Sequence, residues 1–332
     1  MDATNAKEIF RAYRAGLLRS QGGEAGRKAS YQRLLSLVVW DRLPLQQRMA
    51  LRRIERASWQ GLCAAREGDP ERAKRCFKLG QEELDRAGIA LECRLLGSST
   101  LESARAYLDY REGSFEQARR RTFAAMDADS ALEQDDAFSV LEFHRLQAAH
   151  NLMRIDLRVG SPERALALFA DILGYLEGQT DGLPVHGPWR KRALEQAPRL
   201  LRRTMIAQVA NEAAVALTDA AGAEGWLALY ENVKAWLYAC RGAIHPRVLQ
   251  WIKVKAALTS KDWQGYLCLL FDFLPLGRED ISSVWYSCVI EFLDLCRTQD
   301  FPFPEISKEI LRDAVQWPAV PPVLRSCLTR YQ

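Results

Sequence analysis

Arginine side chains recur at one position relative to a glycine in three places along the chain. Arg66, Arg111 and Arg158 each stand two residues before a glycine. A guanidinium is planar and presents paired N–H donors that match the two oxygens of a carboxylate, so these residues are suited to binding acidic groups. A structural interpretation is also available, because the helix dipole stabilises a cation near a helix C-terminus. The sequence leaves both interpretations open.

Aromatic and basic residues close to these arginines extend the candidate surface. Tyr107 and Tyr110 precede Arg111, and Arg154 precedes Arg158 by one helical turn. Tyrosine combines an apolar ring with a hydrogen-bonding hydroxyl, as is common at binding surfaces. We therefore predict a surface that binds an acidic or carboxylate-bearing protein or peptide segment. Its predicted residues are Arg66, Tyr107, Tyr110, Arg111, His150, Arg154 and Arg158.

Four histidines, at positions 144, 150, 186 and 245, are candidates for metal binding or proton transfer. A zinc site on one helix prefers ligands at i and i+4, but His144 and His150 are six residues apart and point roughly 120° away from each other. The spacing therefore predicts no metal site. His150 is interpreted either as a packing residue or as a binding residue. His186 lies beside Trp189 in a loop, where binding residues often occur.

Sequence motifs of several common enzyme classes are missing. The chain contains no G-x-x-x-x-G-K-[ST], G-x-G-x-x-G, G-x-S-x-G or H-E-x-x-H pattern. The local signatures of phosphate binding, dinucleotide binding, serine-hydrolase and zincin chemistry are therefore absent. We predict no cofactor and no catalytic residue, and we favour a protein without enzymatic activity. Asp135 and Asp136 precede a long helical pattern, where helix capping explains them.

Helical hairpins with a repeated turn would position these residues. The turns read Gly68-Asp-Pro-Glu-Arg-Ala73, Gly113-Ser-Phe-Glu-Gln-Ala118 and Gly160-Ser-Pro-Glu-Arg-Ala165. Glycine favours the end of one helix, the Asp or Ser after it is suited to cap the next, and the glutamate adds negative charge to the first turn. Apolar residues follow helical spacing and no period-two pattern is sustained. These features predict an all-α fold without a β-sheet.

Helix and domain boundaries follow from the same turns. The predicted helices span about 40–67, 70–87, 99–112, 114–128, 135–159 and 161–177. Ala73 and Ala165 are expected to be buried where paired helices cross. Similar helices are predicted at 226–237 and after a turn at Lys261. The glycine- and proline-containing loop 178–189 separates an N-terminal repeat half, 1–177, from a C-terminal half with degenerate repeats, 190–332.

Small residues at the expected helix crossings resemble the pattern of the tetratricopeptide-like superfamily. Gly61 on a first helix, with Ala73 and Phe77 on the second, matches that pattern closely. Met153 takes the small position in the third copy, and the repeat of about 45 residues is longer than the family's. The resemblance covers about 45–178, with a fainter match to about 275. It implies a right-handed superhelix of antiparallel hairpins that binds proteins or peptides on its concave face.

Composition restricts the class of partner. The 332 residues include 46 Lys and Arg against 42 Asp and Glu, and a net charge of +4 is too small to indicate a dedicated nucleic-acid-binding protein. Arg119 to Arg121 and the basic cluster at 190–203 are interpreted either as solvated faces or as local attraction for acidic partners. No apolar run is long enough for a transmembrane helix, and the first residues lack the apolar stretch of a signal peptide. We expect no membrane insertion and a cytoplasmic location.

Repeated hairpins without catalytic motifs favour a non-enzymatic, cytoplasmic adaptor or scaffold that binds a protein or peptide on its concave face. The excess of 36 Arg over 10 Lys reflects coding preference in part and leads us to expect a bacterial source. Two alternatives stay open. One is a regulatory protein that senses a ligand or peptide. The other is an accessory protein or enzyme of a bacterial biosynthetic pathway, with a site near His150, His186 or the loop at 178–189.

Overall fold

The computed structural model describes residues 3–19, 42–185, 187–189, 192–197, 199–217, 230–231, 234, 243–298 and 304–330. Within these ranges the chain forms fourteen α-helices and two short 3₁₀ helices, with no β-strand. The helices pack against one another. The predicted all-α fold is therefore confirmed for the part of the chain that the structure describes. His186 and most of the predicted helix at 226–237 lie outside it.

The chain divides into two compact units. One comprises Lys28–Pro198, and the other combines Met1–Arg27 with Arg199–Gln332. The N-terminal helix, α1 (Ala3–Arg19), therefore packs with helices from the C-terminal part of the chain. The predicted division at the loop 178–189 placed α1 with the N-terminal half and so did not anticipate this packing. Hydrophobic periodicity indicates which face a helix buries but not which distant helix covers it.

Three helical hairpins form most of the unit at 28–198. Their first helices are α2 (Leu45–Glu67), α4 (Leu91–Arg111) and α6 (Glu142–Arg158), and their second helices are α3 (Pro70–Leu84), α5 (Phe115–Leu132) and α7 (Pro162–Glu177). A short helix, α8 (Arg192–Gln196), follows the loop after α7. Each first helix packs against its own second helix, and neighbouring hairpins are joined by α2 packing on α4 and α5 packing on α6.

A shared backbone geometry ends the first helix of every hairpin. Gly68, Gly113 and Gly160 have φ values of 83°, 79° and 78°, in the left-handed region that glycine adopts without steric cost. The residue after each glycine donates its N–H to the carbonyl five positions earlier, over 2.8 to 2.9 Å. This arrangement is the Schellman motif, which satisfies carbonyl groups that the end of a helix leaves without partners.

Capping of the second helices differs between the turns. The Asp69 side chain accepts a hydrogen bond from the Arg72 N–H at 2.9 Å, whereas Ser114 and Ser161 make no side-chain cap bond within the described residues. The expected serine caps are therefore wrong. Ser114 and Ser161 have ψ values of 60° and 63°, against 82° at Asp69, and so lie farther from the extended conformation typical of a capping residue.

Small side chains allow the paired helices to approach closely. A Cβ atom on Gly61 of α2 would lie 2.2 Å from the Phe77 ring of α3. Ala73 is fully buried and packs in one core cluster with Phe77 and Ala64. Ala165 is buried at the equivalent place on α7. The second helices thus bury the apolar face that their spacing predicts.

Three predicted helix boundaries are wrong. α2 begins at Leu45 and not near residue 40, since residues 42–44 lie outside the helix. α4 begins at Leu91 and not near residue 99, and Gly97 lies inside the helix. Glycine has a low helix propensity and often marks the end of a helix. Here a Cβ at Gly97 would be 2.8 Å from Leu84, so close packing of the two helices explains the glycine. The single helix predicted at 135–159 is divided into a 3₁₀ helix, Asp136–Leu141, and α6.

The second unit is also helical in its described part. After α1 it contains α9 (Arg199–Leu217), α10 (Pro246–Thr259), α11 (Trp263–Phe273), α12 (Ser282–Thr298), α13 (Pro304–Ala314) and α14 (Pro322–Thr329). A buried aromatic cluster anchors α1, since the Tyr13 ring stacks on Trp285 with centroids 5.5 Å apart. The Tyr13 hydroxyl donates to Asp313 at 3.1 Å and accepts from the Trp317 indole at 3.3 Å.

The hairpin of α10 and α11 repeats the turn geometry of the other unit. Lys261 takes the left-handed position with φ 57°, and Asp262 donates its N–H to the Ala257 carbonyl at 3.0 Å. The Asp262 side chain then caps α11 by accepting from the Gly265 N–H at 3.0 Å. The sequence predicts a turn here, but a lysine occupies the glycine position.

Candidate functional site

Six of the seven predicted partner-binding residues lie on the first helices of the hairpins within one network of ring and guanidinium contacts. Arg66, Arg111 and Arg158 occupy the last turns of α2, α4 and α6, respectively. This placement follows from the shared turn, because each residue stands at the same distance before a helix-ending glycine. We refer to Arg66, Tyr107, Tyr110, Arg111, Arg154 and Arg158, together with Trp59, as the Arg/Tyr surface.

Within the Arg/Tyr surface, α2 and α4 are linked by Arg66. Its guanidinium carbon lies 5.6 Å from the centroid of the Trp59 ring and 5.8 Å from that of Tyr107. Trp59 is itself 53% exposed. A guanidinium at this range is attracted electrostatically by an aromatic ring. Arg66 therefore joins the exposed ring of α2 to the tyrosines of α4.

Two tyrosines and an arginine form the middle of the surface on α4. The Tyr107 and Tyr110 rings are 6.5 Å apart, and Arg111 donates from Nη1 to the Tyr107 hydroxyl over 3.4 Å. Tyr110 also packs edge-on against Phe115 at 6.0 Å. These contacts restrict the orientation of both tyrosine rings.

The contact between α4 and α6 centres on Tyr110. Arg154 and Arg158 lie over its ring, with guanidinium carbons 5.4 and 5.9 Å from the centroid. Arg158 also donates from Nε to the Tyr110 hydroxyl at 3.0 Å. One tyrosine thus orients two guanidiniums that come from the neighbouring hairpin.

A shallow depression lies within this surface, between α4, α5 and α6. It encloses about 310 Å³, including space open to solvent. Its lining residues are Ser103, Ala106, Tyr107, Tyr110, Thr122, Asn151, Arg154 and Ile155. Sequence spacing does not identify Ser103, Thr122 or Asn151, because each lies on a different helix and no repeat relates them.

Other arginines of the same hairpins are held by carboxylates. Arg119 lies 2.6 Å from the buried Asp156, and Arg121 lies 2.6 Å from Asp109 and 2.8 Å from Glu102. These two members of the basic run therefore form ion pairs between helices. In the described part of the chain, Arg66, Arg111 and Arg158 contact aromatic rings or hydroxyls and form no ion pair.

His150 does not belong to the exposed part of this surface. It lies inside α6 with 2% of its area exposed, whereas Arg154, one turn later, is half-buried. The structure therefore places His150 in the packed interior of the hairpins, and its neighbour His144 takes part in a separate buried cluster.

The His144 cluster resembles a catalytic triad in composition but not in geometry. His144 Nδ1 lies 2.7 Å from Asp129 Oδ2 and 3.2 Å from Ser99 Oγ. In a serine-hydrolase triad the carboxylate and the hydroxyl contact opposite ring nitrogens, but here both contact the same one. Burial lowers the pKa of His144, and the Asp129 carboxylate outweighs this and raises the pKa above its ordinary value. The arrangement is therefore that of a partly buried ion pair.

A second buried charge centre attaches the loop after α7. The fully buried Arg145 donates to both carboxylate oxygens of Glu133 at 2.7 Å and to the Pro188 carbonyl at 2.7 Å. Its guanidinium carbon is 4.2 Å from the Trp189 ring centroid. Burial raises the pKa of Glu133 to about 7, although Arg145 acts in the opposite direction. Trp189 of the predicted loop is thus held by packing and is half-buried.

The remaining histidine, His245, is buried in the other unit. Its Nε2 atom lies 3.3 Å from Asp280 Oδ2, and Arg203 lies 3.2 Å from the same oxygen. Burial raises the pKa of Asp280, but His245 and Arg203 outweigh it and hold the pKa well below its usual range. This cluster joins α9 and α10 to the segment before α12.

The described part of the chain shows neither a metal-binding cluster nor a membrane-spanning helix. Among the described residues no group of three or more His, Cys, Asp or Glu side chains could hold a metal ion. None of the described helices is long and apolar enough to cross a bilayer. Comparisons with protein-family models, with curated proteins and with solved structures found no match to this chain.

Proposed function

We propose that this protein is a non-enzymatic, cytoplasmic adaptor that binds an acidic, extended protein or peptide segment on the Arg/Tyr surface. The single observation that carries this function is the contrast between two sets of arginines in the same hairpins. Arg119 and Arg121 are neutralised by carboxylates, whereas Arg66, Arg111 and Arg158 contact rings and hydroxyls. Among the residues that the structure describes, no carboxylate pairs with the second set, which leaves positive charge on one surface.

The aromatic contacts suit these arginines to capture carboxylates. A cation–π contact places the guanidinium against a ring without using its N–H donors, so the donors can still bind a carboxylate. Because Trp59, Tyr107 and Tyr110 already restrict the side chains, a partner would order fewer rotamers when it binds. The same rings offer apolar area to the methylene groups of the partner.

The fold that we propose for this adaptor is a right-handed, tetratricopeptide-like superhelix whose concave face is formed by α2, α4 and α6. Support comes from the three equivalent Schellman turns and from the close packing of Gly61 on Phe77 beside the buried Ala73. In such an array the first helices line the inner surface, and the Arg/Tyr surface lies on these helices.

A direct binding experiment tests this function. A fluorescently labelled peptide of Glu with interspersed Tyr is titrated with the protein, beside matched peptides in which Gln or Lys replaces every Glu. We expect the Glu peptide to bind at least tenfold more tightly than the Gln peptide, and its affinity to fall as salt is added. Equal affinity for the Glu and Gln peptides, or affinity insensitive to salt, would contradict the proposal.

A further inference from the structure

A groove between α1 and α11 lies entirely within the unit that contains both helices. It encloses about 530 Å³, including space open to solvent. The residues that line it are Glu8, Ile9, Gln264, Leu267, Cys268, Phe271 and Asp272. The Arg/Tyr surface is in the other unit and shares none of these residues.

α1 packs closely near its C-terminal end, two turns beyond Glu8. Gly16 lies so close to the Leu274 carbonyl that a Cβ would be 2.1 Å from its oxygen. The helix is held tightly there, and the Tyr13 ring stacks on Trp285 between the two places. The groove lies along the earlier part of α1, beside Glu8 and Ile9.

The walls of the groove combine an apolar floor with acidic edges. Ile9 and Leu267 are buried beneath it, with 2% and 4% exposed area, and Phe271 beside them is 40% exposed. Glu8 and Asp272 are exposed at the edges. Within the residues that the structure describes, neither carboxylate forms an ion pair. Exposed apolar area bordered by negative charge is complementary to a segment that is both apolar and basic.

We propose that this groove binds a basic amphipathic helical segment of a partner protein. Apolar side chains of that segment would cover the exposed Phe271 ring above the buried Ile9 and Leu267. Lysine or arginine side chains one turn away would reach Glu8 and Asp272. A helix with apolar residues at i, i+3 and i+4 and cations beside them presents both groups on one side. An acidic segment, of the kind expected on the Arg/Tyr surface, would be repelled here.

A labelled Leu/Lys amphipathic peptide is the probe for this site, with a Leu/Glu twin as control. We expect the full-length protein to bind the Leu/Lys peptide, and the Glu8→Gln/Asp272→Asn variant to bind it roughly three- to tenfold more weakly, because each exposed charge contact contributes little. Phe271→Ser should weaken binding independently. The double variant Glu116→Gln/Glu163→Gln, which removes two exposed carboxylates from the other unit, serves as the matched control and should bind as the wild type does.

The exposed Cys268 thiol reports where the peptide binds. Its alkylation rate, followed by mass spectrometry, should fall when the Leu/Lys peptide is present at saturation and should not change with the Leu/Glu twin. Absence of binding, equal binding of the twin, unchanged affinity in both groove variants, or an unprotected Cys268 would each overturn the proposal. Circular dichroism identifies any variant that fails to fold, and the variant that remains folded then decides the outcome.

Discussion

Arg145 and Glu133 form a two-point ion pair in the interior of the 28–198 unit. The arginine Nε and Nη2 atoms each lie 2.7 Å from a different carboxylate oxygen, and Nη2 also donates to the Pro188 carbonyl. Trp189 covers the guanidinium, and Gly187 passes so close that a Cβ would lie 2.5 Å from Arg145 Nη1. One buried side chain therefore attaches the loop to α5 and α6.

Removal of Arg145 is predicted to be strongly destabilising. Arg145→Ala leaves a buried carboxylate without its partner, which costs about 3–5 kcal/mol of unfolding free energy. The loss of unfolding free energy should be smaller at pH 5 than at pH 8. The pKa of Glu133 is already raised to about 7 and would rise further without the arginine, so at pH 5 the carboxyl group is protonated and needs no cation. Urea unfolding at the two pH values measures this, with the exposed Arg120→Ala as control. A loss below about 1 kcal/mol at pH 8 would show that the pair is not structurally required.

The His144–Asp129 pair predicts a second pH dependence. The pKa of His144 is raised in the folded state, so its stabilising contribution is full below the unfolded value of about 6.5 and is lost as pH rises through the folded value. His144→Gln should therefore destabilise the protein more at pH 6 than at pH 9. Melting temperatures of wild type and variant across this range test it, and a difference that is constant with pH would disprove the charged pair.

The turns predict opposite effects for two substitutions. Gly68→Ala forces a side chain into the left-handed region and should cost about 1–2 kcal/mol. Lys261 already occupies that region, so Lys261→Gly should stabilise by about 0.5–1 kcal/mol after the entropy cost of glycine is subtracted. Chemical unfolding of both variants gives the signs, and destabilisation by Lys261→Gly would contradict the equivalence of the two turns.

Overpacking probes the crossings of the paired helices. Ala73→Leu and Ala165→Leu should each cost about 1–3 kcal/mol, because both alanines are buried where a larger side chain has no space. Ala167, exposed on α7, supplies the control, and its replacement by Leu should change stability by less than about 0.5 kcal/mol. If the buried and exposed substitutions had equal effects, the assigned helix faces would be wrong.

Local features of the sequence account for the hairpins and for much of the Arg/Tyr surface. The recurring glycine marks the end of each first helix, and the arginine two residues before it must then lie in a last turn. Trp59 was missed although a signal exists, since it precedes Arg66 by seven residues and so lies two turns away on the same helix face. The start of α4 at Leu91 was not predicted, and the reason for Gly97 within that helix is its close approach to Leu84, which the local sequence does not show.

Long-range pairings could not be predicted in this way. The partners Asp129 and His144, Glu133 and Arg145, and Tyr13 and Trp285 come from different helices. The local sequence around each side chain does not show its partner, because each pair forms only when the chain folds. The same limit applies to α1, whose apolar face indicates burial but not the helix that covers it.

In the proposed function, Arg66, Arg111 and Arg158 bind carboxylates of a partner. The most direct measurement compares two triple variants for affinity to the Glu/Tyr peptide by fluorescence anisotropy at low salt. One replaces these three residues by Ala on the first helices, and the other replaces Arg75, Arg120 and Arg164 by Ala on the second helices of the same hairpins, so the net charge change is equal.

We predict that the first triple variant stays helical and binds at least tenfold more weakly, since exposed charge contacts of up to ~1 kcal/mol each add up, while the second binds within about twofold of wild type. Equal weakening of the two variants, or wild-type affinity in the first, would contradict the claim.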